Sequence, residues 1–382
     1  MDKIYLSSPH MGGDELTYVN EAFDTNWIAP LGKNVTLFEK KVTDFVNTTA
    51  GCAVSSGTAG LHLSLDLLGV KRGDVVFCSS LTFAASAFPI TYLGAEPVFI
   101  DSDTETWNMS PAALRRAFKE YHRLGKLPKA VVIVNLYGQS ADMDKLLPIC
   151  EKYNVPVVED AAESLGAVYK GKMSGTFGRL SFFSFNGNKI ITTSGGGMIV
   201  SSDAGLIEHG LKKATQARED TGYYEHKEIG YNYRLSNISA GIGCGQMNII
   251  NERIEKKRDI FKRYIRHLSH IPGISFMPET ADTFHTRWLT TLRLDPSVVK
   301  VTPAEIINIL QSENIEARHV WKPMHMQPVY SGCDYFEHGP DCSKILFEEG
   351  LCLPSDTHMT HGDIDRVSLI IKEAVLGTVL SE

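Results

Sequence analysis

KAVVIVNLYGQSADMDKLLPICEKYNVPVVEDAA, residues 129–162, holds two short apolar runs with a helical stretch between them. AVVIV and VPVV are brief and β-branched, whereas MDKLLPICEKYN spaces its apolar residues for a helix. Strands that alternate with helices in this way predict a mostly parallel sheet with helices on both faces. The same rhythm runs upstream, with DVVFCSS before LTFAASAFPITYLG and EPVFIDSD before PAALRRAFKEYHRLG. Ligands of such sheets collect beyond the carboxyl ends of the strands, where Phe83, Tyr137, Gly138 and Asp160 fall. A carboxylate at the end of a buried strand needs a cation or donors. For Asp160 that partner is either a ligand or a structural group such as a helix N-terminus. Asp101 has a similar place, but its setting in DSDTE reads as a turn.

Downstream lies SFFSFNGNKIITTSGGGMIV, residues 181–200, which sets Lys189 between apolar residues. Two readings stand for its amine. It snorkels to the rim of a turn, or it condenses with a carbonyl cofactor that the following glycines let the backbone approach. Upstream, CAVSSGTAGLHLSLDLLGV (52–70) reads as a strand, a turn of small residues and a helix capped by Ser55 or Ser56. Free N–H groups at such a helix start suit a phosphate, although any capped helix looks similar. The chain has no G-x-x-x-x-G-K-[ST] loop and no strand-linked G-x-G-x-x-G. EIGYNYRLSNISAGIGCGQM (228–247) puts Asn232 and Arg234 ahead of a helix whose small residues permit close contacts, including contacts between subunits.

At 382 residues, 43% hydrophobic and 22% charged, the chain has room for two domains. The expected division is 1–250, a large domain with an N-terminal covering segment, and 251–382, a smaller α+β domain. A net charge of −7 argues against nucleic acid or an anionic membrane as the main partner. No apolar run is long enough to span a bilayer, and a cytoplasmic location is expected. Seven scattered cysteines without C-x-x-C spacing predict reduced thiols and no metal site. The run NERIEKKRDIFKRYIRHL (251–268) reads as a solvated helix face, and EARHVWKPMHMQP (316–328) as an aromatic and histidine cluster.

Together, SSGTA at 55–59, TF at 82–83, EDAAES at 159–164, SFNGNK at 184–189 and GYNYRLSN at 230–237 resemble the DegT/StrS nucleotide-sugar aminotransferases. That resemblance spans essentially the whole chain. PHMGGDE, NWIAPLG, NGNKIITTSGGGM and WKPMHMQP look most like the members that aminate the 4-keto-6-deoxy sugar of UDP-N-acetylglucosamine toward bacillosamine. It implies the aspartate-aminotransferase-like fold (fold type I), pyridoxal 5′-phosphate as cofactor, and a homodimer with shared active sites. Lys189 would carry the cofactor, Asp160 would pair with its ring nitrogen and Phe83 would stack on the ring. Gly57, Thr58, Ala59 and Ser184 would hold the phosphate with Asn232 of a partner chain, and Glu163 would lie near the ring hydroxyl. The nucleotide-sugar substrate is assigned Asn26, Trp27, Ile28, Ala29, Arg234, Trp321 and His325. Packing of Trp27 on the core, and of Trp321 and His325 between domains, is the competing reading. L-Glutamate is the expected amino donor. Relatives with histidine in place of the lysine are dehydratases; this chain has the lysine. The alternatives are another ketosugar nucleotide, leading to GDP-perosamine or a 3-amino sugar, or a sensor or regulator that keeps the fold.

Overall fold

The structure, a computed structural model, describes residues 2–379. Its main element is an eight-stranded sheet in the spatial order Ala50–Val54, Gly197–Ser201, Leu180–Ser184, Val157–Asp160, Ala130–Val134, Val75–Ser79, Glu96–Ile100 and Tyr335–Phe336. Every neighbouring pair from Leu180–Ser184 to Tyr335–Phe336 is parallel. Gly197–Ser201 runs antiparallel to both its neighbours. The return through residues 185–196 contains no helix, and a parallel crossover would need one or an equally long excursion.

Successive strand residues face opposite layers. Val132, Val158 and Phe182 meet Leu61 and Leu65 of the helix Gly57–Leu67 on one side. Val131, Ile133 and Val157 meet Leu114, Phe118 and Leu146 of the helices Pro111–Arg123 and Met143–Lys152 on the other. The helix Asn237–Asn248 turns its small residues inward, against the helices Glu15–Asp24 and Lys33–Val46. A Cβ at Gly243 would stand 2.6 Å from the Phe38 ring, and one at Gly245 would stand 2.7 Å from the Glu15 backbone. Those small residues serve close helix contacts within the chain.

A second, antiparallel sheet has the order Ile274–Phe276, Thr290–Leu294, Gly350–Leu353, Arg318–His319. The helices Ile250–Leu268, Pro303–Ser312 and His361–Val379 contribute Tyr264, Leu310 and Ile371 to its core. Two segments cross between layers. Ile4 joins this second core and bridges to Ile315, whereas Tyr335–Phe336 extends the large sheet. Among the described residues no helix is long and apolar enough to cross a membrane, and no side-chain cluster could hold a metal ion.

Two readings need correction. Asp101 is no turn residue: it is buried and accepts the Ser343 N–H at 2.8 Å and the Cys342 N–H at 3.0 Å, anchoring the start of the helix Cys342–Glu349. The charged run of Ile250–Leu268 does pair outward, through Arg258 to Glu279 and Arg263 to Asp365, but Lys257 is 2% exposed.

Candidate active site

Four strands end on one side of the large sheet and deliver Thr82, Val134, Asp160 and Ser184 to the rim of a cavity of about 310 Å³. One wall is the start of the helix Gly57–Leu67. Ser56, in extended backbone, takes the Ala59 N–H on its side chain at 3.0 Å and the Gly60 N–H on its carbonyl at 3.0 Å. No hydrogen bond occupies the N–H of Gly57 or Thr58 among the described residues. The Ser184 side chain lies close by, since a Cβ at Gly57 would come within 3.0 Å of the Ser184 Cβ. Gly197 is required for the same approach, because a Cβ there would stand 2.6 Å from the Ser56 carbonyl. Free N–H groups at a helix start, beside a hydroxyl, form an anion cup.

The opposite side holds three ionisable groups in a dry setting. Asp160 is 4% exposed; its Oδ2 accepts from Ser86 Oγ at 2.6 Å and its Oδ1 from the Ala162 N–H at 3.1 Å. Burial pushes its pKa up, opposed by the Ser86 and Ala162 hydrogen bonds and by Lys189. Glu163 accepts the Tyr137 N–H at 2.8 Å and the Trp321 Nε1–H at 3.2 Å, and burial raises its pKa too. Lys189 Nζ stands 3.9 Å from Glu163 Oε1 and 4.0 Å from the centre of the Trp288 ring. Burial lowers the lysine pKa, while Glu163 and then Asp160 act to raise it. Such a lysine reaches its free-base form more readily than a surface lysine does.

An aromatic wall carries these groups. Tyr137 lies between Trp288 and Trp321, with ring centres 6.2 and 6.1 Å away, and its hydroxyl accepts the Trp321 N–H at 2.9 Å. Its backbone is left-handed, with φ 52°, and Gly138 follows at φ 107°. A Cβ on Gly138 would lie 2.4 Å from Thr286 Oγ1 and 2.9 Å from the Trp288 nitrogen, so the turn lets the Thr286–Trp288 segment in. Phe83, 53% exposed, stands at the mouth with its ring 5.3 Å from that of Trp321.

Of the residues singled out in the sequence, Gly57, Thr58, Phe83, Asp160, Glu163, Ser184, Lys189 and Trp321 line this cavity. Ala59 sits one step inside the helix with its N–H already taken. Arg234 is not in the cavity. It forms a buried ion pair with Glu39 at 2.9 Å and donates to the Ala53 carbonyl, a structural tie. His325 is likewise outside, with Nδ1 2.7 Å from Ser80 Oγ, Nε2 3.2 Å from Asp341 and its ring stacked on Tyr335. Asn26, Trp27, Ile28 and Ala29 form an exposed turn elsewhere on the surface, where Trp27 donates to the Leu31 carbonyl at 2.6 Å. Packing of Trp27 on the core does not occur, as it is 52% exposed. Asn232 is exposed and separates in sequence Tyr231 and Tyr233, whose rings stack on each other. Sequence reading missed Ser86, Asn188 and Trp288. Trp288 precedes the strand Thr290–Leu294, and Ser86 ends the short helix Ala84–Ser86, neither with a distinguishing sequence pattern.

Residues 9–372 match the DegT/DnrJ/EryC1/StrS aminotransferase family. The chain is 56% identical over 368 residues, 96% of this chain and 94% of the other, to EpsN of Bacillus subtilis (strain 168), provisionally named a pyridoxal phosphate-dependent aminotransferase. It is 35% identical over 379 residues, 98% of this chain and 99% of the other, to the GDP-perosamine synthase of Caulobacter vibrioides. A DegT DnrJ EryC1 StrS aminotransferase from Brucella abortus superposes with a TM-score of 0.88 at 27% identity, over 95% of each chain. The parallel sheet, the anion cup and the buried lysine are thus those of a chain that belongs to the DegT/DnrJ/EryC1/StrS aminotransferase family, the pyridoxal-phosphate-dependent sugar aminotransferases of fold type I.

Proposed function

We propose that this aminotransferase moves an amino group from L-glutamate to C4 of UDP-2-acetamido-2,6-dideoxy-4-hexulose, giving the 4-amino-4,6-dideoxy sugar nucleotide, with Lys189 as the cofactor lysine. The observation that carries the assignment of Lys189 is a buried amine in the same cavity as a buried carboxylate, Asp160, that receives one hydroxyl and one N–H but, among the described residues, no cation in contact. Such a carboxylate lacks the partner that a protonated ring nitrogen would provide. The unoccupied N–H groups of Gly57 and Thr58 and the Ser184 hydroxyl suit the phosphate. These groups fit pyridoxal phosphate, which when bound supplies an aldehyde for the lysine and an electron-accepting ring.

Within that arrangement Lys189 Nζ, as a free base, takes the proton from Cα of the amino donor. After the oxo acid leaves, the same Nζ delivers a proton to C4 of the sugar. Glu163 holds the Tyr137 backbone and the Trp321 indole in place while raising the proton affinity of Lys189 against the effect of burial. Glu163→Gln is expected to shift the acid limb of the kcat–pH profile downward by about 0.5–1 unit, since a nearby carboxylate favours the charged amine. A profile that stays put or moves upward would separate Glu163 from the proton on Lys189.

The sugar assignment leans on the N-terminal and C-terminal motifs quoted above and on the 56% identity to EpsN. A second reading, a GDP-linked 4-ketosugar, is favoured by 35% identity to a GDP-perosamine synthase along nearly the whole chain. We place the exposed Asn26–Ala29 turn and Asn232 at the cavity of a second copy in a homodimer. That location would explain why they stand away from the cavity of their own chain. The deciding experiment follows cofactor absorbance. L-Glutamate should bleach the protein, and UDP-linked 4-ketosugar should restore the colour faster than GDP- or dTDP-linked 4-ketosugars. Recovery with the GDP sugar alone would transfer the assignment to the second reading.

A further inference from the structure

Lys257 is the one residue of the charged helix whose ammonium is turned fully inward. It has no ion pair among the described residues, and its Nζ donates to Ser7 Oγ at 3.0 Å. Asp356, the carboxylate that acts on it, is already engaged by the Ser8 N–H at 2.7 Å and by the His358 N–H at 2.9 Å. Burial lowers the Lys257 pKa to about 7, with Asp356 opposing.

The Ser7 hydroxyl passes its own proton onward, donating to the Asn188 carbonyl at 3.0 Å. Trp288 Nε1 donates to the same oxygen at 2.7 Å. That carbonyl belongs to the peptide plane whose nitrogen is the Lys189 N–H, and the N–H in turn reaches the Asn186 carbonyl at 3.0 Å. Three bonds thus fix the plane from which the Lys189 side chain departs. A cation donating to the Ser7 oxygen polarises its O–H and strengthens the next bond in the chain. Packing explains the aliphatic stem of Lys257, which methionine would fill as well. It does not explain an amine placed on the hydroxyl that holds Asn188.

We propose that Lys257 is a positioning residue for Lys189, acting through Ser7 and the Asn188 carbonyl to set the lysine backbone for capture of the cofactor aldehyde. Capture forms a carbon–nitrogen double bond at Nζ; both amine hydrogens leave with the aldehyde oxygen as water. The proposal rests on Lys189 being the cofactor lysine and is independent of which sugar is aminated.

The test uses apoenzyme titrated with pyridoxal phosphate and with 4′-deoxypyridoxine 5′-phosphate, which has a methyl group in place of the aldehyde. In Lys257→Met and Ser7→Ala, capture of pyridoxal phosphate after borohydride trapping should weaken at least about tenfold, the lower end of what losing an outer partner costs a metal ligand. Affinity for the deoxy analogue should stay within about twofold, because the anion cup is untouched. Ser7→Thr, which keeps the hydroxyl, should restore capture. Equal losses for both ligands, no loss for either, or a Ser7→Thr defect as deep as that of Ser7→Ala would each overturn the proposal. Should Lys257→Met fail to fold, the Ser7 pair decides alone. Peptide mapping of trapped wild-type enzyme separates the underlying assumption, since a label away from residue 189 would refute the cofactor lysine itself.

Discussion

Lys189→Ala is expected to lower kcat by about 10⁴-fold or more, equivalent to roughly 5.5 kcal/mol of lost transition-state stabilisation. On the proposed assignment the substitution removes the covalent anchor and also, among the described residues, the only lysine lining the cavity, the group that would carry a proton between donor and acceptor. The fold should persist. Burial lowers the Lys189 pKa, so its charge costs the cofactor-free protein stability at neutral pH, and alanine removes that cost along with the stem contacts. A single-turnover assay of glutamate consumption, with circular dichroism to confirm folding, reads both halves. Residual turnover within about a hundredfold of wild type would mean that another group moves the proton.

Asp160→Asn comes next in expected size. Asparagine keeps the shape and can still accept from Ser86, but it cannot hold a protonated ring nitrogen. We expect kcat to fall by about 10²–10³-fold, the scale seen when a preorganised electrostatic partner is removed. Cofactor affinity should fall with it, measured by equilibrium dialysis. Apoprotein stability should move the other way. The folded pKa of Asp160 lies above its unfolded value, so the stability it contributes is present in acid and lost as pH rises through that raised value. At neutral pH the neutral amide therefore unfolds no earlier than wild type. An Asp160→Asn enzyme with unchanged kcat would disconnect the carboxylate from catalysis.

The parallel core of the fold was legible because strands such as AVVIV and VVED are short, branched and buried on both sides, leaving little else for them to be. Lys189 and Asp160 were legible for a related reason: a charged residue inside an apolar run advertises an unusual demand. Other residues have partners within the chain that the sequence does not announce. Arg234 looks from its sequence like a ligand-binding cation, yet its guanidinium is absorbed by Glu39, a residue far away in the chain. His325 sits in a promising aromatic cluster, but Ser80 and Asp341 take both ring nitrogens. Sequence periodicity says which face a residue occupies and not which distant acid will meet it there. Lys257 shows the converse, a lysine in a run of charges that the N-terminal segment covers.

The ties of that segment have a bearing on biosynthesis. Ser7 and Ser8 leave the ribosome early, yet their partners are Asn188, 181 positions later, and Asp356, 348 positions later. At about 5–20 residues per second, the second partner emerges roughly 20–70 s after the first residues. The wall formed by Trp288 is also missing for most of that interval. On the proposed assignment, loading with vitamin B6 phosphate is expected to come late, on an almost finished polypeptide, and nascent or prematurely terminated chains should be colourless.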